Sequence, residues 1–461
     1  MLFKNRTLKN FIFLLFSFVF TSAQGTLFEG LDKHSHVIAT FYHVGQGHST
    51  LIHVPDGPAI LVDSGSTEHT GVDPTVRQQE IADDIIHHIS IPPKSAPPSV
   101  EKPSSAPPAS APATNPEKPS SSLPASTLPT SAERHYNLII IITHADKDHV
   151  GWLREILRRL KTNSSVRPIY LFGGSKEDYQ TEGDTPKLTD AEILEFRRAN
   201  IERLGEEKLF AQDYGFMPSA VSFNIPAEAP WGLKVFAMNS SIPEDTTVLS
   251  TGSEEASASA NSKKTDPNLS SIVLRFHYQN KSIMIAGDAP QFVTDQIRKK
   301  LYLQKLTPSV VLKSDILLLS HHGAKTDGTN DLGWIENINP SYAVISAGQH
   351  IGYKHPAAPI VSKLAAFIWA QDRPLTEHHE IGTFGMLDSD IPSGIAKIKS
   401  KTLLKPSKPK TEEKEVLYAT YETTLPIFTT LQSGNVGFAW DVSSPDSDIN
   451  VRTETKLLED A

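Results

Sequence analysis

A cluster of candidate metal ligands directly follows one of the most apolar short runs of the chain. The run Leu138–Ile142 contains only leucine and isoleucine and predicts a buried strand. Imidazole and carboxylate groups together suit a first-row divalent metal, and a loop at the carboxyl end of a strand can aim several ligands at one point. The segment 143–149 carries four such groups, which are His144, Asp146, Asp148 and His149.

The overall composition limits the chemistry that a site in this chain can use. The 461 residues contain no cysteine, so thiolate ligands, thiol nucleophiles and disulfides are excluded, and histidine and carboxylate remain. The formal net charge of −9 argues against a protein that coats nucleic acid through a broad basic face.

The amino terminus has the pattern of a secretory signal peptide over residues 1–23. Basic residues come first, an apolar run follows at 11–20, and small residues stand at 21–23. Since a membrane span needs about 20 apolar residues, the run predicts a cleaved signal, with an uncleaved anchor as the alternative. We therefore expect a secreted or periplasmic protein with no stable membrane span after cleavage.

Residues 92–132 consist almost entirely of proline, alanine, serine, threonine, lysine and glutamate. Such a tract buries too little apolar surface to offset its ordering entropy, so we predict a disordered insertion. Neither flank contains a complete core, so residues 24–91 and 133–440 are expected to form one domain, with a domain boundary as the alternative. We further predict low-complexity loops at 246–265 and 400–415 and a carboxyl-terminal tail at 441–461.

Predicted strands and helices alternate through the remaining sequence, which indicates a layered α/β domain. A helical pattern covers 76–91, just before the insertion. Strands are predicted at 37–43, 50–53, 59–62, 138–142, 169–172, 234–238, 271–278, 282–285, 316–319 and 342–346. Further helices are predicted at 151–161, 190–204, 289–303 and 360–369.

Two later strand ends carry the same kind of polar residue. Residues 283–288 end in Gly-Asp, and residues 317–323 end in Ser-His-His-Gly. Either segment alone would fit a helix cap or a turn. Their order after the first cluster predicts instead that Asp288, His321 and His322 join it in one site.

These motifs together resemble the metallo-β-lactamase fold and, within it, the hydrolase domain of ComEC-type competence proteins and their stand-alone secreted relatives. The resemblance covers most of the chain outside the signal, the linkers and parts of 175–230. The motifs that carry it, in family order, are VGQG at 44–47, LVDSG at 61–65, HADKDHVG at 144–151, NLSSIVL at 268–274, GD at 287–288, SHHG at 320–323 and YKHP at 353–356.

The resemblance implies a four-layer αββα sandwich and a centre for divalent ions, with a β-lactam or lactone as the least expected substrate. It implies two ions, Zn²⁺ or Mn²⁺, with Asp288 between them and with Asp63 and Asn268 supporting the ligands. The implied metal ligands are His144, Asp146, Asp148, His149, Asp288 and His321, with His322 as the alternative to His321. The implied catalytic residues are Asp148, His322 and His355.

This chain also departs from the family pattern. Asp146 replaces a histidine, which makes the site harder, and the family's additional histidine before the bridging aspartate is missing. The only histidine between His149 and Asp288 is His277, which lies mid-strand and is expected to be structural. A weaker ligand set for the second ion is therefore expected.

The function that follows is an exported phosphodiesterase that uses metal-activated water. The substrate stays open between DNA and a phosphorylcholine or lipid headgroup diester, with a lactone or β-lactam and a non-catalytic binding role as further alternatives. Lys325 and Lys354 are candidate phosphate contacts. Tyr214, Trp231 and Trp334 could enclose a quaternary amine or pack in the core.

Overall fold

The computed structural model describes residues 27–91, 136–180, 188–205, 208–210, 223, 225–240, 266–388, 395–405 and 415–455. The predicted signal peptide at 1–23, insertion at 92–132 and loop at 246–265 lie outside these residues. Within the described ranges, no helix combines the length and the hydropathy that crossing a membrane requires.

Sixteen strands are found among the described residues. They are β1 (His36–Phe41), β2 (Ser49–His53), β3 (Ala59–Ser64), β4 (Leu138–Ile142), β5 (Pro168–Phe172), β6 (Trp231–Ala237), β7 (Val273–Tyr278), β8 (Lys281–Ile285), β9 (Ile316–Leu318), β10 (Tyr342–Ile345), β11 (His379–Phe384), β12 (Ala396–Leu404), β13 (Val416–Thr423), β14 (Ile427–Thr429), β15 (Val436–Asp441) and β16 (Asn450–Thr453).

The α-helices among the same residues vary from one turn to four turns. They are α1 (Pro74–Ile89), α2 (Lys147–Val150), α3 (Leu153–Leu160), α4 (Lys176–Tyr179), α5 (Asp190–Leu204), α6 (Gln291–Leu303), α7 (Pro308–Val311), α8 (Leu332–Ile338), α9 (Ala358–Trp369) and α10 (Thr430–Ser433). Short 3₁₀ turns occur at Pro267–Ser270, Ser320–Gly323 and Thr326–Gly328.

Two large mixed sheets form the centre of the domain. The first has the order β16-β15-β1-β2-β3-β4-β5 and the second β14-β10-β9-β8-β7-β6, and a three-stranded sheet, β11-β13-β12, accompanies them. One apolar core contains side chains from both large sheets, whereas α1 and α3 pack on the first sheet and α6, α8 and α9 on the second. The fold is therefore the four-layer αββα sandwich expected from the sequence.

The burial of strand β4 explains why its sequence is an uninterrupted apolar run. Ile139 and Ile141 point into the core between the sheets, while Ile140 and Ile142 point toward the helices outside. Strands that are buried on both faces read as continuous apolar runs instead of alternating ones. The predicted strand is confirmed with the same bounds.

The carboxyl-terminal third differs from the sequence prediction. The loop predicted at 400–415 is wrong over its first residues, because β12 continues to Leu404 in pairing with β13. The tail predicted at 441–461 is wrong as well, because β16 pairs with β15 at the edge of the first sheet. The physical reason is that β12 is exposed along almost its whole length, so it shows no apolar pattern.

Glu80 on α1 gives the fold a pH dependence that can be measured. Burial, assisted by the carboxylate of Glu454 and opposed by Arg77, raises the pKa of Glu80 to about 7. Unfolded glutamate titrates near pH 4.3, so between these values the folded protein binds more protons than the unfolded chain. The free energy of unfolding should therefore fall as the pH rises from about 4.5 to about 7.

Replacing Glu80 by glutamine is expected to flatten this pH dependence by roughly 2 kcal/mol across that window. Urea unfolding at pH 5 and pH 7.5 measures the difference. The exposed Glu336→Gln is the matched control and should leave the slope unchanged. An equal slope in the wild type and in Glu80→Gln would contradict the assignment.

Candidate metal centre

The sequence motifs meet at one edge of the sandwich. Strands β3 and β4 are parallel in the first sheet, and β8, β9 and β10 are parallel in the second. Their carboxyl ends, or the loops directly after them, carry Asp63, His144, Asp288, His322 and His355. This is the edge at which α/β sheets present ligand-binding loops.

The loop after β4 is folded back on the first sheet by backbone hydrogen bonds. His48 N–H donates to the Asp148 carbonyl at 2.9 Å, and Trp152 N–H donates to the Ser64 carbonyl at 2.8 Å. A Cβ atom on Gly65 would lie 2.4 Å from the Asp148 carbonyl carbon, so this close approach requires glycine. The glycine of the LVDSG motif therefore positions the ligand loop.

Four imidazoles surround the carboxylate of Asp288. The distance from His149 Nε2 to Asp288 Oδ1 is 3.1 Å. From Asp288 Oδ2, the Nε2 atoms of His144, His321 and His322 lie at 3.8, 3.7 and 3.7 Å. Asp288 thus lies at the centre of the four imidazoles.

Three groups of potential ligands share His149; the group with His48 and Asp63 lies beneath the site, and the other two line it. In each group, the ligand atoms all lie within 4.8 Å of one another. Of the two that line the site, one contains Asp148 and His322, with 3.3 Å between their Oδ2 and Nε2 atoms. The other contains His144 and Asp288, and Asp146 Oδ2 lies 3.6 Å from His144 Nε2.

The histidines in these groups fit divalent cations. The Nε2 atoms of His144, His149 and His322 are buried without a hydrogen-bond partner among the described residues. Buried polar atoms are nearly always satisfied, so three convergent unsatisfied nitrogens beside carboxylates indicate that a cation completes the site. This donor set suits several first-row divalent ions.

The two halves of the centre are unequal. The side chains of Asp148, His149 and His322 are 15%, 1% and 3% exposed, whereas that of Asp146 is 40% exposed. His277 lies mid-strand in β7 against Gly232, as expected for a structural residue. The half around His144 and Asp146 therefore offers the weaker ligand set.

His322 is better placed as a ligand than His321. Both Nε2 atoms are 3.7 Å from Asp288, but His322 also contacts Asp148, and its ring is buried while His321 lies at the more exposed edge. The Nδ1–H of His322 donates to the Ser346 carbonyl at 2.7 Å, which leaves Nε2 free to face the site. A ligand histidine is commonly oriented by such a bond.

The backbone at this pair has an unusual conformation. His321 and His322 have φ values of 50° and 54°, which are uncommon for residues other than glycine. The turn is held by Asn330, whose side chain accepts from Ser320 N–H and donates to the Ser320 carbonyl. Consecutive left-handed residues direct both imidazoles toward Asp288, and such strain is typical of functional sites.

Asp63 lies beneath the candidate ligands and contacts three residues around them. Its Oδ1 accepts from Thr143 N–H at 2.7 Å, and its Oδ2 accepts from Thr143 Oγ1 at 2.9 Å. Oδ2 also lies 2.9 Å from Nδ1 of both His48 and His149. Asp63 therefore fixes the tautomer of His149 so that Nε2 faces Asp288.

Asn268 lies in the 3₁₀ turn before β7, and its Oδ1 is buried with no hydrogen-bond partner in the part of the chain that the structure describes. The residue of this segment that contacts the site is Ser271. Its Oγ accepts from Asp288 N–H at 3.2 Å and lies 3.5 Å from His144 Nδ1. Sequence reasoning missed Ser271, for which the only signal was a small polar residue at a strand start.

The electrostatics of the site favour bound positive charge. Burial would lower the pKa of His149, but the carboxylates of Asp288 and Asp63 outweigh it and raise that pKa well above the usual range. Burial would raise the pKa of Asp288, but His149, His322 and His321 hold it well below its ordinary value. The carboxylates are ionised and attract cations.

The mouth of the site is lined by aromatic and basic residues of the loop after β10. The ring of His355 lies 5.4 Å from that of His321, and the 49% exposed Tyr353 stacks on His355 at 6.1 Å. Lys354 directly precedes His355, Lys325 follows His322 by three residues, and both lysine side chains are exposed. Of the aromatic residues predicted to form a box, Trp231 and Trp334 are buried in the core, and Tyr214 lies outside the described residues.

No family model and no curated protein matches this chain. Among solved structures, the chain is similar to a mutant of CmlA β-hydroxylase, with 11% identity and a TM-score of 0.31 over 72% of this chain and 51% of that chain. It is also similar to CmlA, a diiron β-hydroxylase from Streptomyces venezuelae, with 11% identity and a TM-score of 0.30 over the same shares, 72% and 51%. The chain thus spans about half the length of the solved chains it matches.

Proposed function

We propose that this protein is an exported metal-dependent hydrolase that cleaves phosphodiesters. The observation that carries the proposal is the pair of His/Asp groups that share His149 and adjoin at Asp288. Divalent ions bound there would supply Lewis acidity and lower the pKa of water, the chemistry used by many phosphatases and nucleases. His144, Asp146, Asp148, His149, Asp288 and His322 would hold them.

The side chains around these groups have distinct roles in the proposal. Asp148 and Asp288 are ionised acceptors that can hold and orient an attacking water. Burial, with the neighbouring His322 and His321, lowers the pKa of His355 to about 3, so its imidazole is neutral at pH 7. A neutral His355 can donate an N–H to a phosphoryl oxygen, which favours charge stabilisation over proton donation as its role.

The residues at the mouth of the site suit an anionic diester as the substrate. Lys325 and Lys354 provide positive charge near the loops that carry the ligands, and Tyr353 provides an exposed ring. A phosphorylcholine or lipid headgroup diester is the second candidate. The observation that favours it is the exposed ring of Tyr353, stacked on His355, which could contact a quaternary amine.

A panel of substrates tests the proposed reaction. Metal-loaded protein should hydrolyse bis-p-nitrophenyl phosphate, and its relative rates on nucleic acid and on p-nitrophenyl phosphorylcholine would separate the two candidates. Nitrocefin tests the β-lactamase alternative and should be left intact. Turnover of nitrocefin without turnover of any phosphodiester would overturn the proposal.

Export is part of the proposal and is supported by the basic, apolar and small-residue pattern of residues 1–23. Expression of the full chain in a bacterium, followed by cell fractionation and amino-terminal sequencing, tests it. We expect a mature chain that begins near residue 24 in the periplasm or the medium. An intact amino terminus in the cytoplasmic fraction would contradict export.

His355→Ala is expected to lower turnover by about 10²-fold while metal content and melting temperature stay unchanged. The reason is that His355 lies beside the ligands without belonging to any of the ligand groups, and its Nδ1 is buried with no partner among the described residues. If His355 stabilises charge on phosphorus, diesters with good and poor leaving groups should lose similar amounts. A much larger loss with the poor leaving group would assign it the role of general acid, and loss of metal would make it a ligand.

A further inference from the structure

A second pair of buried histidines lies far from the candidate metal centre. His53 is the last residue of β2, and His88 lies in the last turn of α1. Each is 8% exposed, and their rings meet edge to face with centroids 4.1 Å apart. His48, which contacts Asp63 under the catalytic ligands, is five residues before His53, so β2 separates the two places by about 17 Å.

The hydrogen bonds of this pair determine where the ring protons are. His53 Nε2 lies 2.7 Å from the Lys33 carbonyl, and His88 Nε2 lies 3.0 Å from the Gly57 carbonyl. Since a carbonyl can only accept, each Nε2 must carry the hydrogen of its ring. In the neutral imidazoles, both Nδ1 atoms are then lone pairs.

The two Nδ1 atoms contact each other directly. Two facing lone pairs repel, so the arrangement requires a positively charged species between them. An imidazole whose far N–H donates to a backbone carbonyl while its other nitrogen points at a shared position has the usual arrangement of a metal-bound histidine. Both rings of this pair have that arrangement.

Water would complete the coordination shell, because no third histidine or carboxylate of the described residues joins the two rings in a group whose ligand atoms lie within 4.8 Å of one another. A cavity of about 50 Å³ beside the rings is also lined by Glu80 and Asp84, which precede His88 on α1 by eight and four residues. That volume accommodates water as an additional ligand. Nitrogens bound to one Zn²⁺ lie about 3.3 Å apart, so the rings would turn slightly apart on binding, and the cavity provides space for it.

We propose that His53 and His88 form a second, structural metal site that binds an imidazole-preferring divalent ion such as Zn²⁺ through their Nδ1 atoms. The ion joins the end of α1 to the end of β2 and is separate from the catalytic ions. Lys33 lines the same cavity, and its positive charge is countered by Asp84. The proposal does not depend on the reaction that the other centre catalyses.

The test uses the full chain with Asp148→Ala and Asp288→Ala, so that the catalytic centre contributes little metal. After chelation and dialysis against Zn²⁺, this protein should retain about one equivalent, and Zn²⁺ should raise its melting temperature by about 3–5 °C at 100-fold excess over the dissociation constant. Adding His88→Gln or His53→Gln should remove both effects. His87→Gln, at an exposed neighbour on the same helix, is the matched control and should keep both.

Nitrogen NMR of the unsubstituted histidines keeps the test decisive if a glutamine variant fails to fold. Zn²⁺ should shift the Nδ1 signals of two histidines and leave their Nε2 atoms protonated. Retention of the ion after His88→Gln in a folded protein would overturn the proposal. A proton shared between the two Nδ1 atoms, together with no Zn²⁺ uptake, would overturn it as well.

Discussion

Replacing Asp148 and Asp288 together by alanine is expected to abolish hydrolysis and the binding of metal at the candidate metal centre. Asp288 is the carboxylate that His144, His149, His321 and His322 surround, and Asp148 is the carboxylate of the other ligand group. Their loss leaves only imidazoles and the partly exposed Asp146. Metal ions contribute several kcal/mol to such reactions, so turnover should fall by about 10³-fold or more.

The measurement pairs metal analysis with turnover on an activated diester. The matched control replaces two exposed aspartates away from the site, Asp83 and Asp295, by alanine and should retain metal and activity. Circular dichroism confirms that both proteins are folded. Wild-type turnover in a folded Asp148→Ala/Asp288→Ala protein that holds no metal at the candidate centre would end the metal account.

Asp63→Ala should cause the largest loss of stability among single substitutions at the site. Asp63 is fully buried and holds Thr143, His48 and His149 through its two oxygens. Removing it leaves several buried donors without an acceptor, which costs about 3–5 kcal/mol. Because His149 loses its orienting partner, metal affinity should also fall by about 10–100-fold.

Urea unfolding and competition with a metal chelator measure the two effects of Asp63→Ala. His48→Gln separates them, since it removes one donor to Asp63 but leaves His149 oriented, and it should keep most of the metal affinity.

Asp63 also makes the stability depend on pH. Burial alone would raise the pKa of Asp63, but His149 and His48 outweigh burial and hold that pKa far below its usual value. Its stabilisation is therefore present above about pH 3.9, the unfolded pKa, and is lost as the pH falls below that value. Unchanged stability in Asp63→Ala would contradict this account.

The central sheets and the first ligand motif could be predicted because their sequence signals are local. Strand β4 is apolar throughout since both of its faces are buried, and the polar residues after it can only belong to the loop at its end. Helix α5 could be predicted as well, and its capping box of Thr189 and Glu192 marks its first turn. Such features need no knowledge of distant contacts.

The remaining features of the fold and the site could not be predicted, because they depend on contacts between residues that are distant in the sequence. Sequence could not assign different positions to His321 and His322, because the left-handed backbone that directs both toward Asp288 is set by packing against Asn330. Ser271 lies near His144 only because the end of β4 in the first sheet meets the start of β7 in the second sheet. Strand β16 has four residues and half-exposed side chains, so its pairing with β15 left no periodic pattern to detect.

The most direct test of the central claim is a metal titration of the chelated wild-type protein, followed by phosphodiester turnover and by metal analysis of the same samples. The account predicts no turnover without metal and a rise in proportion to occupancy of the centre around Asp288, with a tight ion followed by a weaker one. Asp146→Ala should change the affinity of the weaker binding step, because Asp146 belongs to the more exposed half of the centre. Full phosphodiester turnover in the chelated protein, unchanged by added metal, would contradict the account.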